Sequence, residues 1–143
     1  MLSDNDISRV ISLGEVSLGD GGTTNISWNN GLYECYELTL CNGKLHSVND
    51  APAARYRIGS NAAINEWREY GILHRTNGPA VVGGGTRRWF NRGKCHRWDG
   101  PAISSFGESQ YYVHGVPIPI EIHAGLNKNM SPAKLAMVLL KYS

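Results

Sequence analysis

Between Trp67 and Pro117 one pattern recurs every 22 residues. Trp67, Trp89 and Tyr111 each stand four residues before a glycine, at Gly71, Gly93 and Gly115. Behind the first two glycines the chain continues as His74-Arg75-Thr76-Asn77-Gly78-Pro79-Ala80 and His96-Arg97-Trp98-Asp99-Gly100-Pro101-Ala102. A unit this short cannot bury an apolar face alone, so its copies must stack on one another. Stacking by translation requires an even number of strands per copy, because an odd number would reverse each successive unit. The reading assigns two strands. One rises from Thr86 to Asn91 and turns at Arg92-Gly93; the other returns from Lys94 to Ser104. A corner or bulge is expected at Asp99-Gly100-Pro101, where proline removes a backbone donor. The expected fold is mainly β, an antiparallel meander of hairpins in which Trp67, Trp89 and Tyr111 form a ladder.

A degenerate copy precedes these, Gly43-Lys44-Leu45-His46 through Pro52-Ala53, with Ser47 in place of arginine, Ala51 in place of glycine and one extra residue before the proline. From Ala53 to Trp67 is 14 residues, against nine in the later copies, which places a longer loop near residues 59–63. Upstream, cap candidates at residues 3–6 lead into a short helix from Ile7 toward Gly14. Strands are expected over Thr23–Trp28 and Leu32–Cys41, with turns at Asn29-Asn30-Gly31 and Asn42-Gly43. Downstream, the prolines of Pro117-Ile118-Pro119 confine residues 117–122 to a sheet edge. Ser131 as N-cap and Pro132 at the first position start a helix over residues 132–141. That helix is apolar on almost every side and is expected to be buried as the cap of the array; the other reading makes it a dimerisation or partner helix. The 143 residues thus form a single domain: an N-terminal cap (1–42), hairpin repeats (43–118), and an edge segment with its capping helix (119–143).

Apolar residues at 41% and charged residues at 18% belong to a folded globular chain. No apolar run approaches the roughly 20 residues that span a bilayer, and no export signal is visible, so cytoplasm is the expected compartment. Cys35, Cys41 and Cys95 are odd in number and form no Cys-x-x-Cys pair, and are read as buried thiols. The net charge of +2 conceals an asymmetry: residues 1–54 sum to −5, whereas residues 55–97 carry nine bases against two acids, for +7. Eight of those nine bases are arginine, suited to phosphate or carboxylate contacts and to aromatic stacking, which points toward an anionic partner. The competing account is that they are solvated strand faces, some paired with the acidic first third.

These motifs resemble the MORN-like repeats of tailed-phage, giant-virus and bacterial proteins, written Trp-x-x-x-Gly-x-x-His-Arg-x-x-Gly-Pro-Ala. The resemblance covers residues 43–118 and ends in a half-copy, Tyr111 to Ile118. It implies a scaffold for protein or membrane contacts. The expected function is a non-enzymatic, phage-encoded protein that acts in the host cytoplasm. It would bind and modulate a host protein, in host takeover or in counter-defence of the anti-CRISPR type. The alternative is a nucleic-acid or ribonucleoprotein binder using the arginines of residues 55–97. A homodimer is also left open.

His46, His74 and His96 occupy equivalent places, roughly 9–10 Å apart, and would not converge on a metal; they are expected to bond the neighbouring Asn/Asp turn while the arginines lie over the sheet. Neither a catalytic constellation nor a phosphate loop is visible, Gly83-Gly84-Gly85 lacking the lysine of one, so no catalytic, metal or cofactor residue is assigned. The partner-binding candidates are Trp98, Arg97, Arg75, Arg87, Arg88 and Arg92. Trp98 leads because it stands where the other copies carry Val48 and Thr76; its alternative role is to fold back over the His96 strand.

Overall fold

A computed structural model describes residues 22–29 and 33–143. The short helix expected from Ile7 and the turn residues Asn30 and Gly31 lie outside them. The fold is mainly β. β1 (Gly22–Asn29), β2 (Tyr33–Cys41), β4 (Ala54–Ile58), β5 (Ile64–Glu66), β8 (Val81–Gly83), β9 (Thr86–Arg88), β12 (Ile103–Ser105) and β13 (Glu108–Gln110) form one antiparallel meander in that order. β3 (Lys44–Leu45) folds back on the end of β2. Three further hairpins stand off this sheet: β6 (Arg68–Glu69) with β7 (Ile72–Leu73), β10 (Phe90–Asn91) with β11 (Lys94–Cys95), and β14 (Tyr112–Val113) with β15 (Val116–Pro117). Two short helices follow, α1 (Ile120–His123) and α2 (Pro132–Tyr142).

Each of the two expected strands per copy is therefore broken once. Trp89 separates β9 from β10, and the stretch from His96 to Ala102 separates β11 from β12. The Gly-Pro step does not bulge within a strand; it carries the chain from a small hairpin back to the large sheet, since proline has no N–H for either ladder. Trp67, Trp89 and Tyr111 hold equivalent backbone positions along the array, and the series begins one copy earlier, at buried Thr39. The backbone N–H groups of Thr39, Trp67 and Trp89 donate to the carbonyls of Ala53, Ala80 and Ala102 at 2.8, 2.7 and 2.8 Å. Their own carbonyls, and that of Tyr111, accept from His46, His74, His96 and Ile118 at 2.9–3.1 Å. The longer first interval resolves into a five-residue β4 where β8 has three, and a five-residue loop, residues 59–63, where Gly84-Gly85 suffices later.

The 22-residue spacing of glycine has a local cause. The two-residue turns at Tyr70-Gly71, Arg92-Gly93 and His114-Gly115 hold both residues at positive φ, 47° and 85°, 49° and 80°, 50° and 84°. These are the turns whose twist matches that of paired strands. A side chain in that region costs about 1 kcal/mol or more, so glycine takes the second position every time. Gly83 is required for another reason: at φ 151°, an added Cβ would lie 2.5 Å from the Ala63 carbonyl oxygen.

The core runs along the array as Leu38, Leu40, Leu45, Ala53, Ala54, Tyr56, Trp67, Leu73, Ala80, Val81 and Ala102. It is continued by a terminal cluster of Val113, Ile118 and Leu126. The residues flanking the ladder fill one recurring slot with different chemistries. Leu38 and Leu40 are apolar, and Glu66 and Arg68 form a buried ion pair at 3.1 Å. Tyr112 bonds Gln110. Of the three thiols expected to be buried, that of Cys35 lies outside the described side chains, and Cys41 and Cys95 are free and half-buried. Burial still pushes the Cys95 thiol up to about 11.

Two expectations for the C-terminal segment need correction. Residues 117–122 are not extended throughout: after Val116 and Pro117 the chain enters α1, with Pro119 as its N-cap and the Pro119 carbonyl accepting from Ile122 and His123. α2 begins as expected, the Ser131 hydroxyl accepting from the Lys134 N–H, but none of its residues is buried. Leu135, Val138, Leu139 and Tyr142 pack on the terminal cluster, while Met137 and Leu140 are 75% and 78% exposed. The last hairpin is narrow enough to cover one stripe of the helix and no more.

Candidate functional site

The histidines are joints between copies. The Nδ1 atoms of His46, His74 and His96 accept the backbone N–H of Tyr70, Arg92 and His114 at 3.1, 3.1 and 3.0 Å. Each donor is the positive-φ residue of the next hairpin's turn. The expected partner, the Asn/Asp turn of the same copy, is out of place because the histidine strand lies beside the following hairpin. A second joint accompanies it: Gly71, Gly93 and Gly115 donate to the carbonyls of Leu45, Leu73 and Cys95 at 2.7–2.8 Å. Accepting at Nδ1 requires the unprotonated ring nitrogen. Burial, with His114 and His123 close by, lowers the His96 pKa to about 4.

The arginines lie over the ladder. The Arg75 guanidinium sits 3.8 Å from the Trp67 ring centroid, and that of Arg97 sits 4.1 Å from the Trp89 ring. Arg75 is held by both carboxylate oxygens of Asp50, at 2.9 and 3.2 Å, and donates to the Pro79 carbonyl. Asp50 is the extra residue of the degenerate copy, and its carbonyl also takes the Trp67 indole N–H at 2.9 Å. Arg97 instead uses Asp99 of its own copy, at 3.0 Å, and the Pro101 carbonyl. These bonds hold both Asp50 and Asp99 below the usual carboxylate range. In the final half-copy the place over the aromatic goes to His123, whose ring centroid is 4.9 Å from that of Tyr111 and whose Nε2 bonds the Arg97 carbonyl at 2.7 Å.

Stacking leaves a notch between successive His-Arg turns. The first, about 330 Å³, lies between Ser47 and Asp50 on one side and His74 and Arg75 on the other, beside Trp67. Its counterpart one copy on is about 900 Å³. Arg75 and Asn77 form one wall, Trp89 lies beside Arg97, and Trp98 forms the other wall. The loop Leu126–Asn129 supplies a rim found nowhere else in the array. The Asn127 side chain organises that loop by accepting the Asn129 N–H at 3.0 Å.

Of the six candidate residues, the structure brings Arg75, Arg97 and Trp98 together in this cleft. Trp98 is half-buried, with its ring edge-on to His96 at 4.7 Å and to His114 at 5.6 Å, and it packs against the terminal cluster. It thus folds back over the His96 strand while one side lines the cleft. Arg87 and Arg88 point to opposite faces, as neighbours on one strand must. Arg87 is exposed, paired across the sheet with Val82 on one side and Ser104 on the other. Arg88 is half-buried, close enough to bear on the Cys95 thiol. Arg92 is exposed at a hairpin tip. Sequence reasoning missed Asn127, Lys128 and Asn129, which line the cleft. It also missed Phe106, 84% exposed at the tip of the β12–β13 hairpin.

Among the described residues no cluster of three or more metal-ligating side chains occurs, and no helix is long and apolar enough to cross a membrane. No family model, curated protein or solved structure matches the chain.

Proposed function

We propose that the chain is a non-enzymatic binding protein of the MORN-like repeat type and that it engages a protein partner through the Trp98 cleft. The observation that carries this reading is the departure from repeat symmetry. The two notches are built from equivalent turns, yet only the second is enlarged, by an aromatic the repeat does not require and by a loop outside the array. Indole and guanidinium groups around a concavity are side-chain types that concentrate at protein interfaces. Because the charges of Arg75 and Arg97 are each paired with a carboxylate, of Asp50 and Asp99, the cleft offers stacking surfaces and amides more than unpaired positive charge. From the family resemblance, the partner we propose is a host protein whose activity a phage-encoded chain modulates in the host cytoplasm.

The test replaces Trp98 by threonine, the residue of the preceding copy, and measures capture of the partner from host lysate with and without nuclease. Affinity should fall at least about tenfold, equivalent to roughly 1.4 kcal/mol, with no loss on nuclease treatment. Intact binding with a lowered melting temperature makes Trp98 packing alone and abandons the cleft. Capture that vanishes with nuclease, and weakens steeply with salt, moves the site to the exposed Arg87 and Arg92 and to nucleic acid.

A further inference from the structure

We propose that two copies of this chain associate through the free edge of β13, pairing antiparallel across a two-fold axis at Ser109. This surface lies apart from the Trp98 cleft and does not depend on it. In the meander every long strand from β2 to β12 has neighbours on both sides, whereas β13 pairs only with β12 among the described residues. The two-residue turn Phe106-Gly107 makes Ser105 and Glu108 the closing hydrogen-bonded pair of that hairpin. Bonded and non-bonded pairs alternate along an antiparallel ladder, so Ser104 and Ser109 form a non-bonded pair, and the N–H and C=O of Ser109 point away from β12. The Tyr111 N–H points the same way. In the preceding copies that N–H belongs to Trp67 and Trp89 and reaches the Ala80 and Ala102 carbonyls. The alanine at the equivalent place, Ala124, is the C-cap of α1 and does not start a further strand of the large sheet among the described residues.

The edge is complementary to itself. With Ser109 opposite Ser109, Glu108 of one copy meets Gln110 of the other, and the Tyr111 N–H meets the Gly107 carbonyl, so no like charges face each other across the strands. The same register sets Phe106 of one copy opposite Tyr112 of the other. Beside that edge lies a cleft of about 650 Å³ whose lining includes Tyr112, Pro117, Ile120 and Tyr142. Phe106 rests one side of its ring on Gly85 and leaves the rest open. The dimer would thus cover the most exposed large apolar side chain among the described residues and the apolar flank of the unpaired edge in one step, and would join two meanders into one sheet.

Sedimentation velocity over a concentration series tests this on the intact chain. The expected result is a monomer–dimer equilibrium that Ser109→Lys weakens at least tenfold, by placing two cations directly opposite. Its monomer should melt unchanged, because Ser109 is exposed. Ser109→Cys should give a disulfide-linked dimer on oxidation, since paired residues at such a site lie about 5.5 Å apart between Cα atoms. A chain that stays monomeric throughout the series overturns the proposal. So does a dimer indifferent to Ser109→Lys, whose interface would then be sought on the Met137 and Leu140 face of α2.

Discussion

At the scale of single residues, the repeat histidine answers a cost created one copy later. Tyr70, Arg92 and His114 each occupy a left-handed conformation that disfavours a side chain, and each has its N–H taken by the Nδ1 of the preceding histidine. At His96 the bond needs a neutral ring, which couples stability to pH. A histidine whose folded pKa lies below its unfolded value contributes fully above the unfolded pKa, near 6.5, and loses that contribution as pH falls toward the folded value, for His96 about 4. Across that window His96 should withdraw at most about 3 kcal/mol, at 1.36 kcal/mol per pKa unit. Urea unfolding at pH 7 and pH 4.5 checks this against His96→Gln, whose carboxamide oxygen can still accept the His114 N–H. The variant should show a markedly smaller acid loss; equal losses in both proteins would mean that His96 stays neutral for other reasons. The arginines make a complementary lesson. Stacked over Trp67 and Trp89 and bonded to Asp50 and Asp99, Arg75 and Arg97 are part of the scaffold before they are part of any interface.

At the scale of elements, α2 shows how composition can mislead about burial. Apolarity on every side reads as a buried helix, but burial requires neighbours on every side, and the terminal hairpin offers one stripe. Leu139 faces the Val113, Ile118 and Leu126 cluster; Met137 and Leu140 do not. Leu139→Ala should therefore cost about 1–2 kcal/mol, below the usual range for a fully buried leucine. Met137→Gln and Leu140→Gln should each stay within about 0.5 kcal/mol. Thermal melts of the three variants decide the matter: a large loss from Leu140→Gln would require a helix docked by its other face. The same logic governs the Gly-Pro-Ala step. Proline makes it a passage between two ladders, and Ala80 and Ala102, both fully buried, leave room for the neighbouring chain.

At the scale of the whole molecule the array behaves as a one-dimensional stack, each copy bonded to its neighbours through the histidine, glycine and alanine joints. Duplicating residues 89–110 in place, after Gln110, should therefore yield a soluble chain with two further strands in the large sheet and two in the hairpin row. Its melting temperature should be no lower than that of the parent, and far-UV circular dichroism with a thermal melt measures both. An unfolded or aggregated product would mean that the copies are not interchangeable by translation.

The hairpin repeat, its period and its even strand count are legible from residue spacing because each reflects a local demand of the backbone. Glycine is needed at a positive φ every 22 residues, and a proline breaks each ladder at the same point. The Ser131 cap and the longer loop at residues 59–63 are legible for the same reason. What the fold alone decided are the contacts between copies and at their end. The partner of each histidine lies 18 or 24 residues away, and Asp50 reaches Arg75 across 25. Loop Leu126–Asn129 widens one notch and not the other, α2 leaves Met137 and Leu140 exposed, and among the described residues β13 pairs on one edge only. Such features follow from which surfaces the stacked hairpins bring within a few ångströms of one another, and no local pattern in the chain carries that distance.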